Sequence, residues 1–158
     1  MAEKGAAADS AALISKGVER TLELAATWLV WDGRPRLADD DERIYTPHKA
    51  IRRHVDHLID HLAHIEAILS GNSTIADGWH GSRVTVSSDL APFMEADLNE
   101  ARQRLTRLAQ IYAVRLGSLP AAAWDAPHEG DWTVRQIVEH VGPAWYAEQV
   151  GDLRSRPQ

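Results

Sequence analysis

From Pro47 to Leu69 the chain places an apolar side chain at every third or fourth position: Ile51, Val55, Leu58, Leu62, Ile65 and Leu69. That period belongs to an α-helix and not to a strand, whose side chains alternate every second residue. Thr46-Pro47 provides the start, because threonine caps an orphan N–H and proline at the first helical position loses no needed donor. Gly71-Asn72 ends it. The same pattern returns three times. A first helix is predicted from roughly Ser10 to Val30, on Leu13, Ile14, Val18, Leu22, Ala25 and Leu29, with Gly33 and Pro35 as its stop. A third runs from about Glu95 to Leu116, on Leu98, Ala101, Leu105, Leu108, Ala109 and Tyr112, closed by Gly117 and Pro120. A fourth opens at Trp132-Thr133, where Thr133 and Gln136 form a capping box, and continues through Ile137, Val138, Val141, Trp145 and Val150. Pro143 lies inside that run and predicts a kink near Gly142-Pro143, or a restart there.

Four amphipathic helices and no convincing strand predict an all-α four-helix bundle with a long loop between helices 2 and 3. Residues 1–9 are expected to fray, residues 10–152 to form one domain, and residues 153–158 to be a tail. Residues 32–46 read as an acidic connector. Its run Asp39, Asp40, Asp41, Glu42 is expected to be a solvated loop, since nothing forces those oxygens to converge on a cation. Residues 71–93 read mostly as loop, with Val84-Thr-Val86 as a short extended piece. A loop of that length is either functional or a cover for a site.

Charge and composition exclude several functions. The 158 residues carry 17 basic and 23 acidic side chains, a net charge of −6. That balance argues against nucleic acid as a partner, which requires a basic footprint. There is no cysteine, which excludes disulfides, thiolate metal sites and a cysteine nucleophile, and fits a reduced compartment. The longest nearly apolar stretch, Ala25 to Trp31, is too short to span a bilayer, and Met1 to Ser10 has no secretory core segment. A cytoplasmic location without membrane contact is therefore expected. The six tryptophans suit core positions, pocket rims and interfaces.

Half of the eight histidines fall in one stretch: His54, His57, His61 and His64. Projected on a helix they share an arc about 80° wide that borders the apolar stripe. His57 and His61, four residues apart, stack two imidazoles one turn from each other, able to chelate one ion. Neutral imidazole suits zinc, nickel, copper or ferrous iron. Two ligands make a weak site, so a third must come from elsewhere. His140, flanking the apolar face of the fourth helix, is the best candidate. Glu148 falls near that face too, as a ligand, an acceptor for a ligand's N–H, or a general base. The same arc also fits histidines that are simply solvated or paired with Asp56 and Asp60. His48 is expected at the surface, while His80 and His128 fall in loops. His80, beside Trp79, is a lid residue or a plain loop histidine.

Two segments carry a resemblance. Trp132-Thr-Val-Arg-Gln-Ile-Val-Glu-His140 resembles the helix start of the DinB-like superfamily, in which Trp and Ser/Thr precede an acidic or amide residue, a hydrophobic run and a histidine. Leu119-Pro120 and Gly130-Asp-Trp132 match the loop that leads into it. His57-Leu-Ile-Asp-His61-Leu-Ala-His64-Ile resembles the superfamily's H-x-x-x-H metal helix. With the four-helix pattern, the resemblance spans most of residues 11–152. It implies a four-helix bundle with a three-histidine divalent metal site, often dimeric, among thiol-dependent S-transferases, a mycothiol-dependent maleylpyruvate isomerase and metal-dependent hydrolases. Carried over, the metal ligands are His57, His61 and His140. In the family the single histidine usually lies on the second helix and the pair on the fourth. Here the order is reversed, and Ala144 stands four residues after His140.

Two functions follow as expectations. The first is a DinB-like enzyme using a divalent metal (zinc, nickel or iron) on a small-molecule substrate, as a hydrolase or a low-molecular-weight-thiol S-transferase. Three histidine ligands leave an open coordination position, where the metal acts as a Lewis acid or lowers the pKa of a bound water or thiol. Glu148 or His64 moves the proton, and any thiol must be external. The second is a non-catalytic homodimeric binding module that has lost the metal.

Overall fold

The computed structural model describes residues 2–74 and 81–155. Among the described residues the chain is mostly helical, with one two-stranded sheet. Helix α1 spans Ala2–Ala25 and is followed by a 3-10 turn at Trp28–Val30. Strands β1 (Arg36–Leu37) and β2 (Ile44–Tyr45) pair antiparallel and lead directly into α2, Pro47–Leu69. A second 3-10 turn, Ser87–Leu90, precedes α3, Glu95–Gly117. Three short helices follow: α4 (Ala121–Trp124), α5 (Val134–Val141) and α6 (Trp145–Val150).

The predicted caps form. The Thr46 side chain accepts from the Lys49 N–H at 3.1 Å, with Pro47 in the first turn of α2. Thr133 and Gln136 close a reciprocal capping box at the start of α5. The fourth predicted helix is broken at Gly142-Pro143, and α6 resumes at Trp145. The break coincides with a close crossing. A Cβ on Gly17 of α1 would lie 1.8 Å from the Gly142 carbonyl oxygen, so only glycine lets the two backbones meet.

Several boundaries differ from expectation. Helix α1 starts at Ala2 and not at Ser10, consistent with the high helix propensity of an alanine-rich segment. It ends at Ala25, because the chain tightens to 3-10 geometry before Gly33, whose φ is +80°. The acidic connector is a hairpin and not a plain loop. Asp40 makes the turn by accepting from the backbone N–H groups of Glu42 and Arg43, and it also pairs with the Arg43 side chain. Strands of two residues are too short to show alternation, so sequence periodicity misses them. Residues 84–86 lie irregularly along the start of α2, where Lys49 Nζ donates to Thr85 Oγ1 and Arg52 to the Val84 carbonyl. Residues 75–80 of the expected cover, Trp79 and His80 included, lie outside the described residues.

The core has two parts. One joins Ile14 and Val18 of α1, Val55, Leu58 and Ile65 of α2, Leu105 and Tyr112 of α3, Trp124, and Ile137 and Val141 of α5. The Tyr112 hydroxyl inside it donates to the Leu58 carbonyl at 2.6 Å. The other joins Leu24, Trp28, Tyr45, Ala50, Phe93 and Leu98 with Tyr146, Ala147 and Val150 of α6. Ile51 packs against both. Helix α2 thus rests on α3 along one side and on α5 and α6 along the other. That second contact carries the histidines.

Candidate metal centre

The contact of α2 with α5 brings His57 and His61 against His140. His57 Nε2 and His140 Nε2 are 3.0 Å apart. Ring centroids are separated by 4.7 Å (His57–His61), 4.8 Å (His57–His140) and 5.0 Å (His61–His140). One nitrogen from each ring lies within 4.8 Å of the other two. Tetrahedral zinc with bonds of about 2.05 Å would hold its ligand nitrogens about 3.4 Å apart. The histidines thus bracket that spacing, and a small opening of the His57–His140 contact fits them to an ion. Borderline-soft divalent ions favour such an all-nitrogen donor set.

Two of the three rings are held neutral. Burial, followed by the nearby His61, His140, His54 and Arg53, pushes the His57 pKa down to about 3. Burial also lowers His140. A lone pair therefore stays available on each of these two imidazoles at neutral pH, as metal ligation requires. Aromatic rings flank the histidines. The indole of Trp132 stacks on His61, with centroids 6.1 Å apart and planes 6° from parallel, and meets His140 edge-on at 4.9 Å. Tyr146 of α6 lies 5.5 Å from the His57 ring. Trp132 is 42% exposed and Tyr146 only 9%, so the first forms the rim and the second the floor.

The remaining nominated residues divide. His64 stays beside the cluster, its ring 5.7 Å from His61. Its Nε2 bonds to Asp131 Oδ1 at 2.8 Å. Asp131 also accepts from the Trp132 N–H at 2.7 Å and from the Thr74 hydroxyl. Burial raises the Asp131 carboxyl, but the hydrogen bonds from Trp132, His64 and Thr74 more than offset this and hold it below its usual range. Glu148 faces a different helix. It pairs with Arg20 of α1 (Nε to Oε1 2.7 Å), in a groove shared with Leu13, Lys16 and Pro143. The break at Pro143 resets the helical phase, so a projection continued from His140 does not extend to it. His54, on the same predicted arc, turns away to α1 and meets Thr21 Oγ1 through Nδ1 at 2.9 Å. His48 is partly exposed and bonds the Pro92 carbonyl.

Sequence reasoning missed Arg53, Asp131 and Tyr146 as neighbours of the site. Arg53 was legible in principle, being one turn before His57 on α2. Tyr146 was not, because it lies beyond the break. Comparison with protein-family models, with curated proteins and with solved structures found no match.

Proposed function

We propose that this chain is a DinB-like four-helix-bundle metalloprotein in which His57, His61 and His140 hold one divalent ion, zinc, nickel or iron, and act on a small molecule. The reaction class is hydrolysis or transfer to an external low-molecular-weight thiol. One observation carries the reading: ligand nitrogens from three histidines on two helices lie within 4.8 Å of one another. The resemblance of Trp132–His140 and His57–Ile65 to the superfamily's metal helices supports it.

A divalent ion held by three neutral imidazoles would supply Lewis-acid activation at an open coordination position. The chain's own groups do the rest. Trp132 and Tyr146 exclude water from two sides of the triad. Of the two residues nominated for proton movement, His64 is retained, oriented by Asp131. Glu148 is not, because its carboxylate is held by Arg20.

The test is elemental analysis of the untagged protein, purified without chelator, beside His57→Ala and His140→Ala. Near-stoichiometric metal in the parent, lost in both variants, is the expected result. Equal metal in parent and variants would overturn the triad.

A second reading, the non-catalytic homodimer, draws on a different surface. Ile59, Ile111 and Val114 are exposed on α2 and α3, Val114 at 76%. Leu62, Ile111 and Val114 line a groove of about 840 Å³ there. A metal-free parent that sediments as a dimer, with Val114→Glu monomeric, would favour it.

A further inference from the structure

Next to the histidines α2 carries a buried guanidinium, that of Arg53. Arg53 is 5% exposed. It stands four residues before His57, one helical turn away on the same face of α2. Its guanidinium carbon lies 5.8 Å from the Tyr146 ring centre, and that ring lies 5.5 Å from His57. Tyr146 therefore forms a common floor beneath the arginine and the first ligand.

The partners of Arg53 are weak or shared. Its Nε donates to Ser82 Oγ at 3.3 Å and its Nη1 to Asp56 Oδ2 at 3.3 Å. Asp56 is 39% exposed at its side chain, and its Oδ2 is also 4.0 Å from Arg52 Nη1. Arg52 differs sharply from its neighbour. It grips Asp89 through two hydrogen bonds, Nε to Oδ1 at 2.9 Å and Nη2 to Oδ2 at 2.6 Å. One arginine of the adjacent pair is thus saturated. The other holds long contacts to Ser82 and to a carboxylate at the surface, which can swing to Arg52.

The ligand chemistry of the histidines bears on this. Three imidazoles bring no negative charge, and no carboxylate joins their group among the described residues. A bound divalent ion would keep its charge, with a buried guanidinium one turn away. A planar, bidentate anion is the complement that a guanidinium fork recognises best. The rise between Arg53 and His57 is about 6 Å, roughly the reach of a four- to six-carbon chain.

We propose that the substrate is a small carboxylate, gripped through its carboxylate group by Arg53 in place of Asp56, with its reacting end at the histidine cluster. This inference rests on the metal reading above. Asp56 holds the guanidinium until the substrate displaces it, and Ser82 fixes the Nε side.

Isothermal titration of the metal-loaded protein with succinate, and with neutral succinamide as control, tests this. Metal content is measured on every sample. The parent is expected to bind succinate and not succinamide. Arg53→Gln should weaken succinate at least tenfold at unchanged metal content, and Arg53→Lys, which keeps the charge without the fork, should fall between. Asp56→Asn should bind succinate several-fold more tightly, a gain that loss of folding cannot mimic. Equal affinity in parent and Arg53→Gln, or no binding by a metal-loaded parent, overturns the carboxylate assignment alone. A parent that takes up no metal overturns the site reading, and this inference with it.

Discussion

His54 and His57 are three residues apart on α2 and meet different surroundings. His54 is 1% exposed and bonded to Thr21 across the contact with α1. Burial alone pushes its pKa down to about 4. An unfolded histidine titrates near 6.5. Between those values the unfolded chain takes up a proton that the folded chain refuses. The His54 contribution is therefore fully present above about pH 6.5 and is lost as pH falls toward 4. Across the whole window it amounts to on the order of 3 kcal/mol. Urea unfolding at pH 7 and pH 5 should show the parent losing about 2 kcal/mol more than His54→Gln. Equal losses would mean that another group carries the pH dependence. The glutamate at position 148 gives a second expectation at this scale. Glu148→Gln should leave metal content unchanged, because its carboxylate is engaged by Arg20. A fall in bound metal would restore it to the site.

At the scale of elements, the helix ends and the α1 crossing separate two kinds of interaction. Thr133→Ala removes one side of the capping box and should cost about 1 kcal/mol. Gly17→Ala places a methyl group against the Gly142 carbonyl, backbone against backbone, so α1 or the Gly142-Pro143 break must move. A loss of about 2–4 kcal/mol is expected, read from denaturant midpoints. A neutral Gly17→Ala would show that the crossing can open freely. The same distinction governs what could be read in advance. Thr46-Pro47, Thr133 with Gln136, and Gly142-Pro143 act on backbone groups within a few residues, so the sequence displays them. The β1–β2 hairpin depends on Asp40 turning the chain over strands too short for any period. The positions of Glu148 and Tyr146 depend on how α6 is rotated after the break, which no projection along one helix contains. His54 looked equivalent to His57 because a helical wheel cannot tell that Thr21 of another helix awaits one and His140 the other.

For the whole molecule, the two parts of the core meet at Ile51, on the helix that carries His57 and His61. Docking of α5 and α6 on α2 therefore completes the core and the triad together. A ligand that binds only the folded state stabilises it by about 2.7 kcal/mol at one hundred times its dissociation constant. For a chain of this size that corresponds to roughly 5–10 °C in melting temperature. The effective metal should produce that shift in the parent and none in His61→Ala. No shift with any of zinc, nickel or iron, in a protein shown to be metal-free, would remove metal linkage from the fold. Among the described residues no helix is long and apolar enough to cross a membrane.

His57 and His140 are 83 positions apart in the chain. On a ribosome adding about 5–20 residues per second, roughly 4–16 s separate the emergence of His61 from that of His140. Throughout that interval the nascent polypeptide offers a two-imidazole half-site on a helix with no third ligand made. An ion caught then is held loosely enough to leave. On the proposed metal reading, the ion is therefore selected only after His140 has been made, from whatever ions the cell supplies at that moment.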